Sequence, residues 1–311
     1  MSSPRNVLII KTGFSEFLDL GISTTVSLGD VLICTAILHL YKKDHVTWVT
    51  SWSARKLLKD NPYIQELLIF GPEAIQKILN SNYDILVNLE KDIGICTFLC
   101  GIHARRRYGF YFNNRIHDIA TRKRSTRYLL AGQENHRDIQ KTGLEILYET
   151  VNKKWRGQGL VLNRCRKSRP KYDIGFNYSV GSKWPTKAWP TDRWKHLEEI
   201  LKDKYSISWQ QGHKNINRYI DWIDSCRLIV TSDSLGQALG LALDKKIVTL
   251  YGPTNYRRMD GIKNISVIPS ELNCPHMPCY LPVCKFSDFC MNHIAPEKVA
   301  QQCEFLLKEV K

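Results

Sequence analysis

With 311 residues, 43% of them hydrophobic, the chain has more apolar material than one core usually holds, which argues for two globular domains and against disorder. No apolar run reaches bilayer-spanning length, so a membrane-embedded protein is excluded as an expectation. The formal charge of +15 says nothing about fold but much about partners: it favours nucleic acid, anionic membrane or phosphorylated ligands.

Met1 to Lys11 holds one short apolar run, Val7 to Ile10, and no small-residue cleavage site. A cytoplasmic protein is therefore expected, and the 10 cysteines read as reduced thiols or metal ligands rather than disulfides. Asn6 to Lys11 (NVLIIK) has the continuous apolar character of a strand buried on both faces, hence central in a parallel sheet. Thr12 to Val26 reads as a long loop of the functional kind. Ser27-Leu28-Gly29-Asp30 then opens a helix through VLICTAILHLY.

Alternation continues with strands at Val46 to Thr50, Ile64 to Phe70 and Tyr83 to Asn88. Helices are expected at Ala54 to Lys59, Pro72 to Asn80, Ile93 to Cys100 and His136 to Val151. Between Arg105 and Arg127 eight basic residues, among them Arg105, Arg106 and Arg107, are interleaved with Tyr108, Phe110, Tyr111 and Phe112, and the segment reads as loop plus strand. Such a run is ordinarily a solvated face, yet it also suits an anionic glycolipid surface or stacked RNA bases. No RNA-binding signature accompanies it, so no nucleic acid is expected as a partner. Asn152 to Pro170, rich in Lys, Arg and Gly, reads as part of the link between domains spanning 1–155 and 171–311, with 156–170 as linker.

The second half restarts with a strand at Asp173 to Asn177, a loop GSKWPTKAWP, and a helix from Thr191 to Lys204 with Thr191 or Asp192 as N-cap. A strand at Ser206 to Gln210 and a helix at Ile216 to Cys226 lead to the most informative stretch, LIVTSDSLGQALGLALDKKIVTLYGPT, residues 228–254. Two β-branched runs flank a small-residue helix, so the turns at Ser232-Asp233-Ser234 and Gly252-Pro253-Thr254 open on the same sheet edge. There the helix start, Asp233-Ser234-Leu235-Gly236, offers free N–H groups to an anion, and a phosphorylated ligand is the first expectation. A Rossmann dinucleotide fingerprint is missing after the first strand, where Gly13 stands alone. A strand at Ile265 to Ile268 and a helix from Pro296 to Val310 close the chain.

Between those last two elements Cys274, Cys279, Cys284 and Cys290 are spaced C-x4-C-x4-C-x5-C. Four thiolates could hold a structural zinc or iron, although the spacing is looser than paired C-x2-C and buried cysteines are often simple packing residues.

In order along the chain, SLGDVLICTAIL, KAWPTDRW, VTSDSLGQALGLAL, LYGPT and CMNHIAPEKV resemble glycosyltransferase family 9, the ADP-heptose:lipopolysaccharide heptosyltransferases. The resemblance implies an α/β protein of GT-B architecture, two facing Rossmann-like domains with parallel sheets. It implies an inverting transferase that moves a sugar, foremost a heptose, from a nucleotide-diphosphate donor to a lipopolysaccharide-type acceptor. Asp30 then occupies the position of the general base, with Ser27, Gly29 and Arg105 to Arg107 on the acceptor side. A carboxylate at a helix start is otherwise a plain N-cap. Lys187 and Ser182 stand where the family contacts the donor phosphates, beside Asp233, Ser234, Leu235 and Gly236, with Gly252 and Thr254 lining the nucleotide. Ala238 takes the position of a common family histidine. No cofactor is needed for catalysis in this reading, since Lys187 and helix N–H groups neutralise the leaving group. An anionic glycolipid acceptor further implies peripheral contact with the cytoplasmic face of the inner membrane.

Overall fold

The computed structural model describes residues 3–14, 25–122, 126, 130, 139–163 and 169–308. The middle of the Thr12 to Val26 loop, Lys123, Arg124 and Arg127 of the basic run, the start of the expected His136 helix and part of the linker lie outside the described residues. The chain forms two compact units, one of Met1–Gly132 with Gly143–Asn163, the other of Gln133–Thr142 with Arg164–Lys311.

In the first unit a sheet runs in the order β3-β2-β1-β4-β5-β6. Its members are β1 (Asn6–Ile10), β2 (His45–Thr50), β3 (Glu66–Ile69), β4 (Tyr83–Asn88), β5 (Ala104–Asn113) and β6 (Asp118–Thr121). The first five are parallel, and β1 is central, with Val7, Leu8, Ile9 and Ile10 fully buried. Burial on both faces is why this strand lacks the alternation of a half-exposed one. Helices α1 (Leu28–Cys34), α2 (Arg55–Leu58), α3 (Pro72–Leu79), α4 (Ile93–Phe98) and α5 (Gly143–Thr150) complete the unit, α1 and α4 each continuing as a 3-10 turn. The basic segment differs from expectation: it is a ten-residue strand paired antiparallel with β6, a hairpin rather than loop plus strand. Leu160 and Val161, expected in the linker, are buried in this unit, and Val161 N donates to Thr35 Oγ1.

The second unit carries an all-parallel sheet in the order β11-β10-β9-β7-β8. These are β7 (Tyr172–Asn177), β8 (Ile207–Trp209), β9 (Cys226–Ser232), β10 (Lys246–Tyr251) and β11 (Ile265–Pro269), joined through α6 (Thr191–Leu201), α7 (Ile216–Asp224) and α8 (Leu235–Ala242) and closed by α9 (Pro296–Lys308). Trp194 of α6 packs tilted against Phe176 and edge-to-face against Trp189, in a core that residues of α9 share. Pro190, not Thr191 or Asp192, is the N-cap of α6, without a side-chain cap bond. Proline just before the first turn already fixes a helical entry, so the hydroxyl and carboxylate are not needed there.

Each sheet reverses its winding once: between β1 and β4 in the first unit, between β7 and β9 in the second. The crevice at the carboxyl ends of such strand pairs is where open α/β sheets bind ligands. Both groups of candidate residues lie at these points.

Candidate active site

In the first unit, Lys11 and Thr12 follow β1 and Glu90 follows β4. Asp30 stands in the first turn of α1, whose N-cap is Ser27 without a side-chain cap bond. Asp30 is therefore not a helix cap. Its Oδ2 lies 2.5 Å from Lys11 Nζ, and Glu90 Oε1 lies 3.5 Å from the same ammonium. Glu90 is held in turn by the backbone N–H groups of Thr12 and Gly13, at 2.7 and 2.8 Å. The Lys11 side chain is 3% exposed, Glu90 0% and Asp30 20%, so Asp30 alone presents a carboxylate outward. Burial by itself would push the Lys11 ammonium down; Asp30 and Glu90 outweigh it and raise its pKa above the ordinary lysine value. Thr12 Oγ1, buried beside this group, has no hydrogen-bond partner among the described residues.

The arginines of β5 divide. Arg105 is exposed and lies 3.3 Å from Asp84. Arg106 is exposed. Arg107 is half-buried, and its guanidinium donates to the carbonyls of Leu99, at 2.7 Å, and Ile102, tying the end of α4 to the strand. Arg107 and Arg122 also line a cavity of about 220 Å³ with Tyr111 and Phe112.

In the second unit Lys187 lies in a 3-10 turn (Pro185–Lys187) after β7, and its Nζ is 2.9 Å from Asp233 Oδ2 at the end of β9. Trp184 stacks beneath that ammonium at 5.3 Å, a cation–π contact. Burial would raise the Asp233 carboxyl, but Lys187 and Arg258 outweigh it and hold it below the usual carboxylate range. Ser234 caps α8, accepting from Gly236 N at 3.2 Å. Asn177 at the end of β7 donates to Thr231 Oγ1 and Ser234 Oγ, and Tyr219 of α7 donates to Asn177 Oδ1 at 2.5 Å. Asn177, Tyr219 and Arg258 went unnoticed in the sequence; a polar residue ending an apolar strand beside a turn was the one signal available.

A Cβ on Gly236 would lie 2.4 Å from Asn177 Nδ2 and 2.7 Å from Tyr219 Oη. Gly236→Ala accordingly overpacks the turn, and an expected loss of about 1–3 kcal/mol is to be read as a lowered Tm. Gly252 meets a different neighbour: its Cβ would lie 2.6 Å from Cys290 Sγ and Met291 Sδ, so the glycine admits the cysteine-rich loop. Ser182 is exposed in the turn before Lys187, and Thr254 is buried after β10. Leu235 opens α8 next to Ser234.

Cys274, Cys279, Cys284 and Cys290 line one largely apolar cavity of about 190 Å³. Burial pushes the Cys290 thiol up to about 12, that of a neutral thiol at pH 7. Among the described residues no three His, Cys, Asp or Glu side chains are placed to hold a metal ion. The structural zinc or iron that the spacing suggested is therefore not assigned to these four thiols, although Cys274, Cys279 and Cys284 lie near enough to Cys290 to raise its pKa further. No described helix is long and apolar enough to cross a membrane.

The family model of glycosyltransferase family 9 (heptosyltransferase) matches residues 210–289, the stretch containing the Asp233 turn and the cysteine-rich loop. Lipooligosaccharide heptosyltransferase 2 of Campylobacter jejuni is 32% identical over 123 residues, which cover 37% of this chain and 39% of that protein, well under half of either. The glycosyl transferase family 9 structure from Veillonella parvula aligns with a TM-score of 0.69 at 19% identity, covering 99% of this chain and 98% of that one. Heptosyltransferase WaaC of E. coli, solved with ADP, aligns with a TM-score of 0.64 at 14% identity over 97% of this chain and 99% of its own. The chain is thus similar to glycosyltransferase family 9 in sequence over residues 210–289 and shares the fold of such proteins along nearly its whole length.

Proposed function

We propose that the protein is an inverting glycosyltransferase that moves a sugar, foremost a heptose from ADP-heptose, to a lipopolysaccharide-type glycolipid. One observation carries the reading: the second unit holds a buried Lys187–Asp233 pair beside the N-terminus of α8, at the reversal point of its sheet. A departing nucleoside diphosphate needs such fixed donors and cations, because its charge grows as the bond to the sugar breaks. Lys187 and the N–H groups of the Ser234 to Gly236 turn supply that stabilisation, with Ser182, Gly252 and Thr254 around the nucleotide.

On the acceptor side Asp30 takes the proton of the attacking hydroxyl while that oxygen bonds to the anomeric carbon and the carbon–oxygen bond to the diphosphate breaks. A single displacement of this kind inverts the anomeric centre. Lys187 neutralises the leaving group in this scheme, so no step is assigned to a metal. The exposed arginines of β5, with Arg122, suit an anionic glycolipid at the cytoplasmic face of the inner membrane, each cation near such a surface contributing about 1 kcal/mol.

Calorimetric titration with ADP, UDP and GDP tests the donor. Selective ADP binding is the expected result; preference for UDP or GDP would replace the heptose by another sugar, and no binding of any nucleotide would remove the transferase reading.

A further inference from the structure

Lys11 and Glu90 are charged residues in the interior of the first unit, and a buried ammonium facing two carboxylates calls for a reason. The three charges sum to −1. Glu90 is fixed, wholly buried and bonded by two backbone N–H groups. Lys11 is fixed, lying also 3.4 Å from the Leu89 carbonyl. Only Asp30 has an open side.

We propose that Lys11 is a positioning residue for Asp30 and that Glu90 is the counter-charge that allows Asp30 to take up a proton. This rests on Asp30 acting as the base in the reading above. An ammonium 2.5 Å from a carboxylate holds it in one orientation and also opposes its protonation. Were Asp30 the sole partner of Lys11, accepting a proton would strand a buried cation. With Glu90 at 3.5 Å the cation stays neutralised after the proton arrives, so the carboxylate keeps its orientation without losing its basicity. Among the described residues the Cys34 thiol of α1 also bears on Lys11, a weaker influence than either carboxylate.

The two neighbours should therefore move Asp30 in opposite directions, which a general disturbance of packing would not do. In Lys11→Met the Asp30 midpoint rises, and in Glu90→Gln it falls, each by at least about one unit, a tenfold change in proton affinity. The double variant Lys11→Met/Glu90→Gln, which leaves no unpaired buried partner, rises less than Lys11→Met alone and serves if that single variant does not fold. The measurement is a ¹³C-carboxyl NMR titration of the full chain, with Asp30→Asn identifying the resonance, alongside the acid limb of the kcat–pH profile.

Opposed shifts of the resonance, mirrored by the acid limb, support the proposal. Shifts in the same direction, or none in either Glu90→Gln or the double variant, overturn it. A wild-type protein that transfers no sugar would instead defeat the glycosyltransferase reading, and the NMR titration would still report on the clamp.

Discussion

Asp30→Asn lowers kcat for sugar transfer by about 10²–10⁴-fold, the usual contribution of a positioned general base, while ADP affinity stays within about twofold of wild type. Asparagine keeps the shape of the side chain but cannot take the hydroxyl proton. Lys11 retains Glu90 as its carboxylate partner at 3.5 Å, so the substitution does not leave a bare buried ammonium and the melting temperature changes little. Steady-state kinetics, calorimetry with ADP and a thermal melt on the same preparation separate these effects. Transfer within a few-fold of wild type would remove Asp30 from the role of base. Loss of ADP binding would mean that the substitution had disturbed more than the first unit's site.

How far the sequence led depended on what marks a residue from nearby in the chain. The strands at β1, β4, β9 and β10 announce themselves because burial on both faces demands unbroken apolar runs. The Asp233 turn was legible for a related reason: a polar triplet between such a strand and a small-residue helix has few other conformations to adopt. Lys187 and Asp233 were each identifiable, but their pairing over 46 residues was not. Lys11 and Glu90 were missed altogether. A lysine after an apolar strand looks like a solvated end, and the N–H groups that hold Glu90 belong to Thr12 and Gly13, the former 78 residues away. The clue was topological: both charges follow strands that become neighbours only once the sheet reverses between β1 and β4.

Periodicity misled where long-range packing chose a different partner. The helix expected from His136 is described only as Gly143–Thr150, and residues 139–142 are not helical. Ile139 is buried in the second unit, where its carbonyl accepts from Asn255 Nδ2 at 3.4 Å. The β5–β6 hairpin was obscured because arginines alternate poorly with its aromatics, and a four-residue strand such as β6 carries little pattern of its own.

Lys187→Met is expected to have the other large effect. It removes the cation nearest the proposed diphosphate, and loss of one fixed electrostatic donor typically lowers kcat by about 10²–10³-fold. Unlike Asp30→Asn it also weakens ADP binding, because the leaving group carries charge before transfer as well as after. A second consequence is structural. Asp233 is left with Arg258 as its remaining cationic influence, and breaking a fully buried pair costs about 3–5 kcal/mol, reduced here because the Asp233 side chain keeps 21% of its exposure. The pH dependence separates the two effects. The Asp233 carboxyl is held low in the folded protein, so its stabilisation is present above the ordinary carboxylate range and is lost as pH falls through the lowered pKa. Lys187→Met lacks that stabilisation at neutral pH, and the gap in Tm between variant and wild type should narrow on acidification. Lys187→Met/Asp233→Asn, which leaves neither charge, should recover Tm at pH 7 without recovering kcat. If the double variant regained activity, Lys187 would serve only to neutralise Asp233 and would have no part in stabilising the diphosphate.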